Sequence, residues 1–340
     1  MRLLIIGNPA STHVGRHFLN AALSLGWEVE ILDTAAAWHG PRWLRRISWH
    51  LFGHRPLHLR SFGRAVVNRC QSFRPDVMLS TGLAPMSGEA LVQVRRLGAS
   101  AVNFLTDDPW NPAHRAPWFL RALPHYQHVF TPRHANEADL SAHGVQGVSY
   151  LPFAYAPEEH HPPKSLTAED IGRWSHRVAF IGGADDERLA LVRTLVKAGV
   201  PVALWGGYWR EHPDLVPHAH GHADEETCRK IVAAAGANLC LVRRANRDGH
   251  SMRSYELPAI GGVLLVEDTV DHRAMFGPDR EAVCYFKTPP DLITQAGWLL
   301  ALAPEVRARM TNAARGCVTA LPETYASRLS TIRQSLSRQG

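Results

Sequence analysis

Four groups of residues in this chain have types and spacings that could do chemistry. Gly182-Gly183 follow the apolar run 178–181 and precede a helical pattern, where glycines let backbone N–H groups and a helix N-terminus approach a phosphate closely; a ligand-free tight turn has the same pattern. Asp107-Asp108-Pro109-Trp110 follow the apolar run 101–105. A carboxylate there could orient a hydroxyl or accept its proton, and paired acids also start helices by capping the next turn. His218, His220 and His222 alternate up to Asp224, and alternation on a strand would bring the rings to one face as metal ligands. The expectation is that they are polar positions bordering a loop, because no matching second cluster exists. Finally, the loop Gly7-Asn8-Pro9-Ala10-Ser11-Thr12-His13-Val14-Gly15 offers His13 and Gly15 as edge positions of a binding cleft, and His134 is a similar single candidate. That loop lacks G-x-G-x-x-G, which argues against a dinucleotide dehydrogenase although Asp33 ends the second apolar run.

These groups need a scaffold, and the chain supplies a repeating one. Short apolar runs at 3–6, 29–32, 77–80, 101–105, 129–131 and 148–151 alternate with helical stretches, the first over 14–25 and closed by Gly26. A proline-rich stretch from Pro152 to Pro163 has no helical period and reads as a linker. A second series follows at 178–181, 202–205, 237–241, 263–266 and 283–286, with a helix over 185–197 ended by Gly199 and Pro201. Alternation of this kind builds parallel α/β sheets, so the fold class is α/β with two Rossmann-like domains facing across a cleft. The expected boundaries are an N-terminal domain over 1–155, a linker over 156–176 and a C-terminal domain over 177–321, with a final helix over about 322–340 packing back on the first domain. In open α/β sheets ligands bind outside the carboxyl ends of strands, which is where the glycines and the acid pair fall.

Composition bounds the partners. A chain of 340 residues, 45% hydrophobic, can bury two cores, and its net charge of +6 suits phosphate-bearing partners: nucleotides, nucleic acid or an anionic membrane. Its five cysteines show no C-x-x-C, and Cys240 and Cys284 lie in apolar runs, so reduced core thiols and a cytoplasmic location are expected. No run is long enough to span a bilayer. The segment 38–64 is basic and aromatic, with Trp43, Ile47 and Leu51 on one helical face. It either lies on an anionic membrane at the inner face or docks a lipid-linked acceptor, or it packs on the N-terminal sheet with its basic side in water; the packed helix is the preferred reading.

The block from Asp248 to Gly262 carries a resemblance. Arg253-Ser254-Tyr255-Glu256-Leu257-Pro258-Ala259-Ile260-Gly261 matches an R-x-F-E-x-x-A-x-G pattern, with Tyr for Phe, of retaining GT-B glycosyltransferases. The chain is most similar to the CgeB-like (spore maturation) group of that family, in which an Asp-Asp-Pro resembling 107–109 also recurs. Tyr150-Leu151-Pro152 resembles the family's interdomain crossing, Leu204-Trp205-Gly206-Gly207-Tyr208-Trp209 the turn that approaches the nucleotide base, and Gly221-His222-Ala223-Asp224 the start of the next helix. The match runs from about Val77 to Val318.

The resemblance implies transfer of a sugar from a nucleoside-diphosphate sugar to an acceptor, with retention of configuration. It places Glu256 on the ribose hydroxyls as the second acid of E-x(7)-E; Asp248 takes the first place, one methylene shorter than the family's Glu. Gly182, Gly183, Arg188, Gly206, Ser251, Arg253 and Glu256 are the expected donor-binding residues, and Asp107, Asp108 and Asp248 the expected catalytic ones. Arg188, Arg253 and helix-terminal amides would neutralise the diphosphate, so no metal and no cofactor are expected. The partners are the sugar nucleotide and a sugar, lipid-linked, protein or small-molecule acceptor; no nucleic acid is expected. Two rivals remain: a nucleotide-sugar epimerase on the same fold, and a non-catalytic nucleotide- or nucleic-acid-binding protein.

Overall fold

The computed structural model describes residues 1–320 and 323–338. The expected domain end at 321, helix start at 322 and helix end at 340 lie outside these residues. The chain forms two compact units: Met1–Pro152 with Arg244–Arg247 and the segment from Tyr325, and Phe153–Arg243 with Asp248–Thr324.

The first unit holds β1 (Arg2–Gly7), α1 (Val14–Ser24), β2 (Glu28–Asp33), α2 (Arg42–Leu51), α3 (Leu59–Phe73), β3 (Val77–Thr81), α4 (Gly88–Arg96), β4 (Ser100–Phe104), α5 (Pro117–Ala122), β5 (His128–Thr131), α6 (His134–Ala142) and β6 (Val148–Tyr150). The second holds α7 (Ala168–Trp174), β7 (Val178–Ile181), α8 (Asp186–Lys197), β8 (Val202–Trp205), β9 (Ala219–Gly221), α9 (Glu225–Ala234), β10 (Ala237–Cys240), α10 (Arg253–Ile260), β11 (Leu264–Glu267), α11 (Val270–Phe276), β12 (Cys284–Phe286), α12 (Pro289–Leu300) and α13 (Pro304–Thr319). The last helix, α14 (Tyr325–Ser337), belongs to the first unit.

Both sheets are wholly parallel, and their inner strands are buried on two faces, which is why those strands read as near-continuous apolar runs. The first has the order β2-β1-β3-β4-β5-β6 and the second β12-β11-β10-β7-β8-β9. Alternation along β1 sends Leu4 and Ile6 into one core with Met78, Val66 and Leu91. On the unit's other packing layer, Phe18 of α1 meets Phe104 and Tyr325 edge-on at 5.4 and 5.1 Å, so α14 completes this core. In the second unit Phe180, Leu204, Leu239 and Leu265 pack under α8 and α12. Ala179, Ala203 and Trp205 form a separate core with Trp174 and Ile231.

Two expectations need correction here. The stretch 156–176 is not all linker: α7 forms within it behind a capping box in which Thr167 and Asp170 bond each other's backbone, and Trp174 of this helix is buried. Nor does α2 pack its apolar side on the sheet. Trp43, Ile47 and Leu51 are 62%, 41% and 74% exposed, and Ser48 is the helix's one buried residue.

Candidate active site

In a sheet ordered β12-β11-β10-β7-β8-β9 the direction of winding reverses between β7 and β10, and that switch point is where such sheets bind ligands. Gly182-Gly183 leave the carboxyl end of β7 there. Arg188 sits in the first turn of α8 and donates from Nη1 to the Gly183 carbonyl at 2.9 Å. Asp185 caps α8 by accepting from the Arg188 amide at 3.0 Å. Its other oxygen lies 3.3 Å from Arg188 Nε and 3.6 Å from Nε of Arg243, just past the end of β10. Arg253 opens α10 and donates from Nε to the Ile181 carbonyl at 3.0 Å. Three guanidiniums thus surround the end of β7. Burial lowers the pKa of Arg188, Asp185 opposes this, and the charges of Arg243 and Arg253 lower it further. An incoming polyanion would relieve that strain among cations.

Glu256 is 1% exposed and accepts a hydrogen bond from Arg253 Nη1, one helical turn earlier. Burial lowers and Glu256 raises the Arg253 pKa, and the net shift is upward. His160 Nε2 stands 3.8 Å from Glu256 Oε1. The His160 Nδ1 accepts from the Ala156 amide at 2.9 Å, so in the neutral ring the proton sits on Nε2, facing the carboxylate.

The loop geometry revises which amides are free to meet a phosphate. The Gly182 amide donates to the Trp205 carbonyl at 2.8 Å and the Ala184 amide to the Gly207 carbonyl at 3.0 Å. Asp185 at the cap, with Asp186 and Glu187 in the first turn, already matches the positive end of α8. The Gly182, Ala184 and Arg188 amides are thus already bonded within the protein. Gly206 is a packing requirement: its φ is +124°, and a Cβ there would lie 2.4 Å from the Gly182 carbonyl oxygen. Of the aromatics in the following turn, Trp205 is buried against His220 and Trp209 is buried with Nε1 donating to the Gly182 carbonyl at 2.8 Å. Tyr208, 67% exposed, is the ring available to stack on a ligand.

Ser251 and Ser254 start α10 on a buried network. Ser254 Oγ accepts from the Ser251 amide at 3.0 Å and donates to His272 Nε2 at 2.8 Å, and His272 Nδ1 donates to the Glu267 carbonyl at 2.7 Å. Burial brings the His272 pKa down to about 4, so the ring is neutral. This Ser–His pair is a scaffold: both side chains are buried, and Ser254 Oγ is committed to the Ser251 amide and His272. Cys240, beside it, is likewise buried, with its thiol pushed up to about 11 by burial. The donor atoms of His218, His220, His222 and Asp224 do not gather within 4.8 Å of one another; Asp224 instead caps α9 through the Thr227 amide at 2.8 Å.

Asp248 is partly buried and pairs with the strand end it follows: its Oδ2 accepts from the Arg243 amide and its own amide donates to the Arg243 carbonyl, both at 3.3 Å. Between these two residues, Arg244–Arg247 form part of the first unit. There Asn246 Nδ2 donates to Asp107 Oδ1 at 3.0 Å, and Arg247 Nε donates to Asp108 Oδ2 at 2.6 Å. Asp108 is 1% exposed and also accepts from the Trp110 amide and Asn136 Nδ2, each at 3.0 Å, so it is a turn-forming and charge-pairing residue. Asp107 is partly exposed and its Oδ2 accepts from Thr106 Oγ1 at 3.0 Å. The loop is fixed from below by Arg133, whose Nη2 donates to the Thr106 carbonyl at 2.7 Å. His13 and Gly15 sit at the start of α1, where a Cβ on Gly15 would lie 2.8 Å from the Asn8 carbonyl oxygen. Burial lowers the His13 pKa.

Residue types alone did not single out Arg243, His160, Asn246 or Arg247. Arg243 had a usable signal, a cation at the carboxyl end of an apolar run. His160 had none, since its partner Glu256 lies 96 positions further along the chain.

Two parallel Rossmann-like units of this topology are the architecture of the GT-B glycosyltransferases. Residues 188–334 match the family model described as glycosyl transferase-like. Among solved structures, the chain is similar to sucrose-phosphate synthase of Thermosynechococcus elongatus, with TM-score 0.73, 14% identity and full coverage of both chains. It is also similar to HepE of Anabaena in complex with UDP and glucose, with TM-score 0.66, 11% identity and coverage of 99% of this chain and 100% of that one. A chain of Listeria monocytogenes, provisionally assigned as a UDP-N-acetylglucosamine 2-epimerase, is similar at TM-score 0.58 and 14% identity over 100% of this chain and 97% of that one. No curated protein matches this chain in sequence.

Proposed function

We propose that the protein is a glycosyltransferase that moves a sugar from a nucleoside-diphosphate sugar to an acceptor with retention of configuration. The observation that carries this reading is the grouping of Arg188, Arg243 and Arg253 at the β7–β10 switch point beside buried Glu256. In the reaction the bond from the sugar's anomeric carbon to the diphosphate oxygen breaks, the nucleoside diphosphate leaves with the electron pair, and an acceptor oxygen bonds to the same carbon and loses its proton. Negative charge grows on the leaving diphosphate, and the three arginines are placed to stabilise it. Glu256 takes the ribose hydroxyls, Tyr208 the base and Asp248 the sugar hydroxyls. Asp107 is our candidate on the acceptor side, since Asp108 is consumed by its turn and by Arg247. Membership of the CgeB-like group rests on the motif around Arg253 and Glu256.

With arginines in this role, turnover needs no divalent ion. The test is a nuclear magnetic resonance time course on sugar nucleotides and acceptor sugars in the presence of a chelator. A new glycoside with the donor's anomeric configuration supports the proposal. Activity that is lost on chelation and restored by Mn²⁺ contradicts the metal-free mechanism. The epimerase fold-mate has its own signature, a donor converted to its epimer with no acceptor present.

A further inference from the structure

The segment between Asp33 and Asp76 contains eight arginines and four histidines and no aspartate, glutamate or lysine. In its middle, α2 is turned inside out relative to an ordinary amphipathic helix. Its inner side is held by polar and ring contacts: Ser48 Oγ donates to the Arg55 carbonyl at 2.5 Å, and Trp49 stacks on His54 at 4.2 Å and leans on Trp38 at 5.8 Å. Its outer side carries Trp43, Ile47 and Leu51 at spacings of four, followed by Phe52, 63% exposed. Arg46 and His50 flank that stripe. A recess of about 470 Å³ beside it is lined by Arg42, Arg45 and Arg46 against Trp38 and Trp49. Among the described residues, these three arginines have no acidic partner.

An apolar stripe in water is costly to keep, and unpaired guanidiniums repel one another. One kind of partner satisfies both features at once, a surface with anionic phosphates above an apolar layer. We propose that α2 docks this chain on an anionic bilayer surface, with Trp43, Ile47, Leu51 and Phe52 in the interfacial layer and Arg42, Arg45 and Arg46 on lipid phosphates. A second copy of the chain fits poorly, because its own matching segment would bring eight more arginines and no acid to the contact. A nucleic acid would use the arginines but leave the aliphatic pair Ile47 and Leu51 in water. The inference stands on this surface alone and does not depend on the proposed reaction.

The experiment is sedimentation of the full chain with phosphatidylcholine vesicles, with and without phosphatidylglycerol. Binding is expected only to the vesicles that contain phosphatidylglycerol, weakened by salt, with a blue shift of tryptophan emission that Trp43→Phe diminishes. Replacing Arg42, Arg45 and Arg46 by Gln should weaken binding by about fivefold per arginine, on the order of 100-fold together. Leu51→Ser should weaken it while leaving the melting temperature unchanged, because Leu51 is not buried by the fold. Equal binding to both vesicle types, or none to either, overturns the proposal. So does polynucleotide binding without vesicle binding, or a dimer that Leu51→Ser dissolves.

Discussion

Replacing Glu256 by Gln keeps the side chain's shape and removes its charge, so it isolates the ion pair with Arg253. The carboxylate is 1% exposed and the Arg253 guanidinium about one-third exposed. Breaking a fully buried pair costs roughly 3–5 kcal/mol because the partner is left charged and uncompensated. Water reaches part of Arg253, and its Nε remains bound to the Ile181 carbonyl, so about 2–3 kcal/mol is expected here. The assay is urea unfolding followed by hydrogen exchange on peptides of the second unit, which reports that unit separately. The double variant Glu256→Gln with Arg253→Met should lose less than the sum of the two single losses, since each single change strands the other partner. A Gln variant as stable as the parent, or strictly additive losses, would refute the claim that this ion pair stabilises the second unit.

Gly206→Ala should destabilise the second unit by about 3 kcal/mol through backbone strain and the clash with Gly182, whereas Gly207→Ala, with open space around its Cβ, should be nearly silent in the same thermal melt. His272 is neutral in the native state with a pKa of about 4, below the ordinary value of 6.5, so its contribution is present above pH 6.5 and lost as pH falls towards 4. That loss is about 3 kcal/mol by linkage, and His272→Gln should flatten this part of the stability–pH curve. Asp107→Asn should lower turnover by roughly 100-fold with donor affinity unchanged. Asp108→Asn should instead lower the urea midpoint of the first unit, and the reverse pattern would exchange the two assignments.

The strands were legible because parallel sheets buried on both faces demand unbroken apolar runs, and all eleven expected runs fall on strands or their immediate ends. The twelfth strand, β9, is an edge strand of three residues, Ala219–Gly221, and carries no such run. The direction of α2 was illegible, since periodicity reports that Trp43, Ile47 and Leu51 share a face but not which way the face turns. Likewise Gly182-Gly183 announced a turn, but only the hydrogen bonds of the Gly182 and Ala184 amides to Trp205 and Gly207 reveal where those amides point. Asp107 and Asp108 are adjacent and alike in type; Arg247, more than a hundred positions away, is what separates their roles.

The central claim is that the residues around the end of β7 hold a nucleoside diphosphate. Titration calorimetry of the intact chain with uridine, guanosine, adenosine and thymidine diphosphates tests it most directly, each set beside its nucleoside and monophosphate. One diphosphate should bind selectively and its nucleoside hardly at all. Arg253→Ala and Glu256→Ala should each cost on the order of 2–4 kcal/mol of that affinity, as for charged hydrogen bonds broken in a binding site. Unaltered affinity in both variants, or no nucleotide preference in the parent chain, would contradict the account.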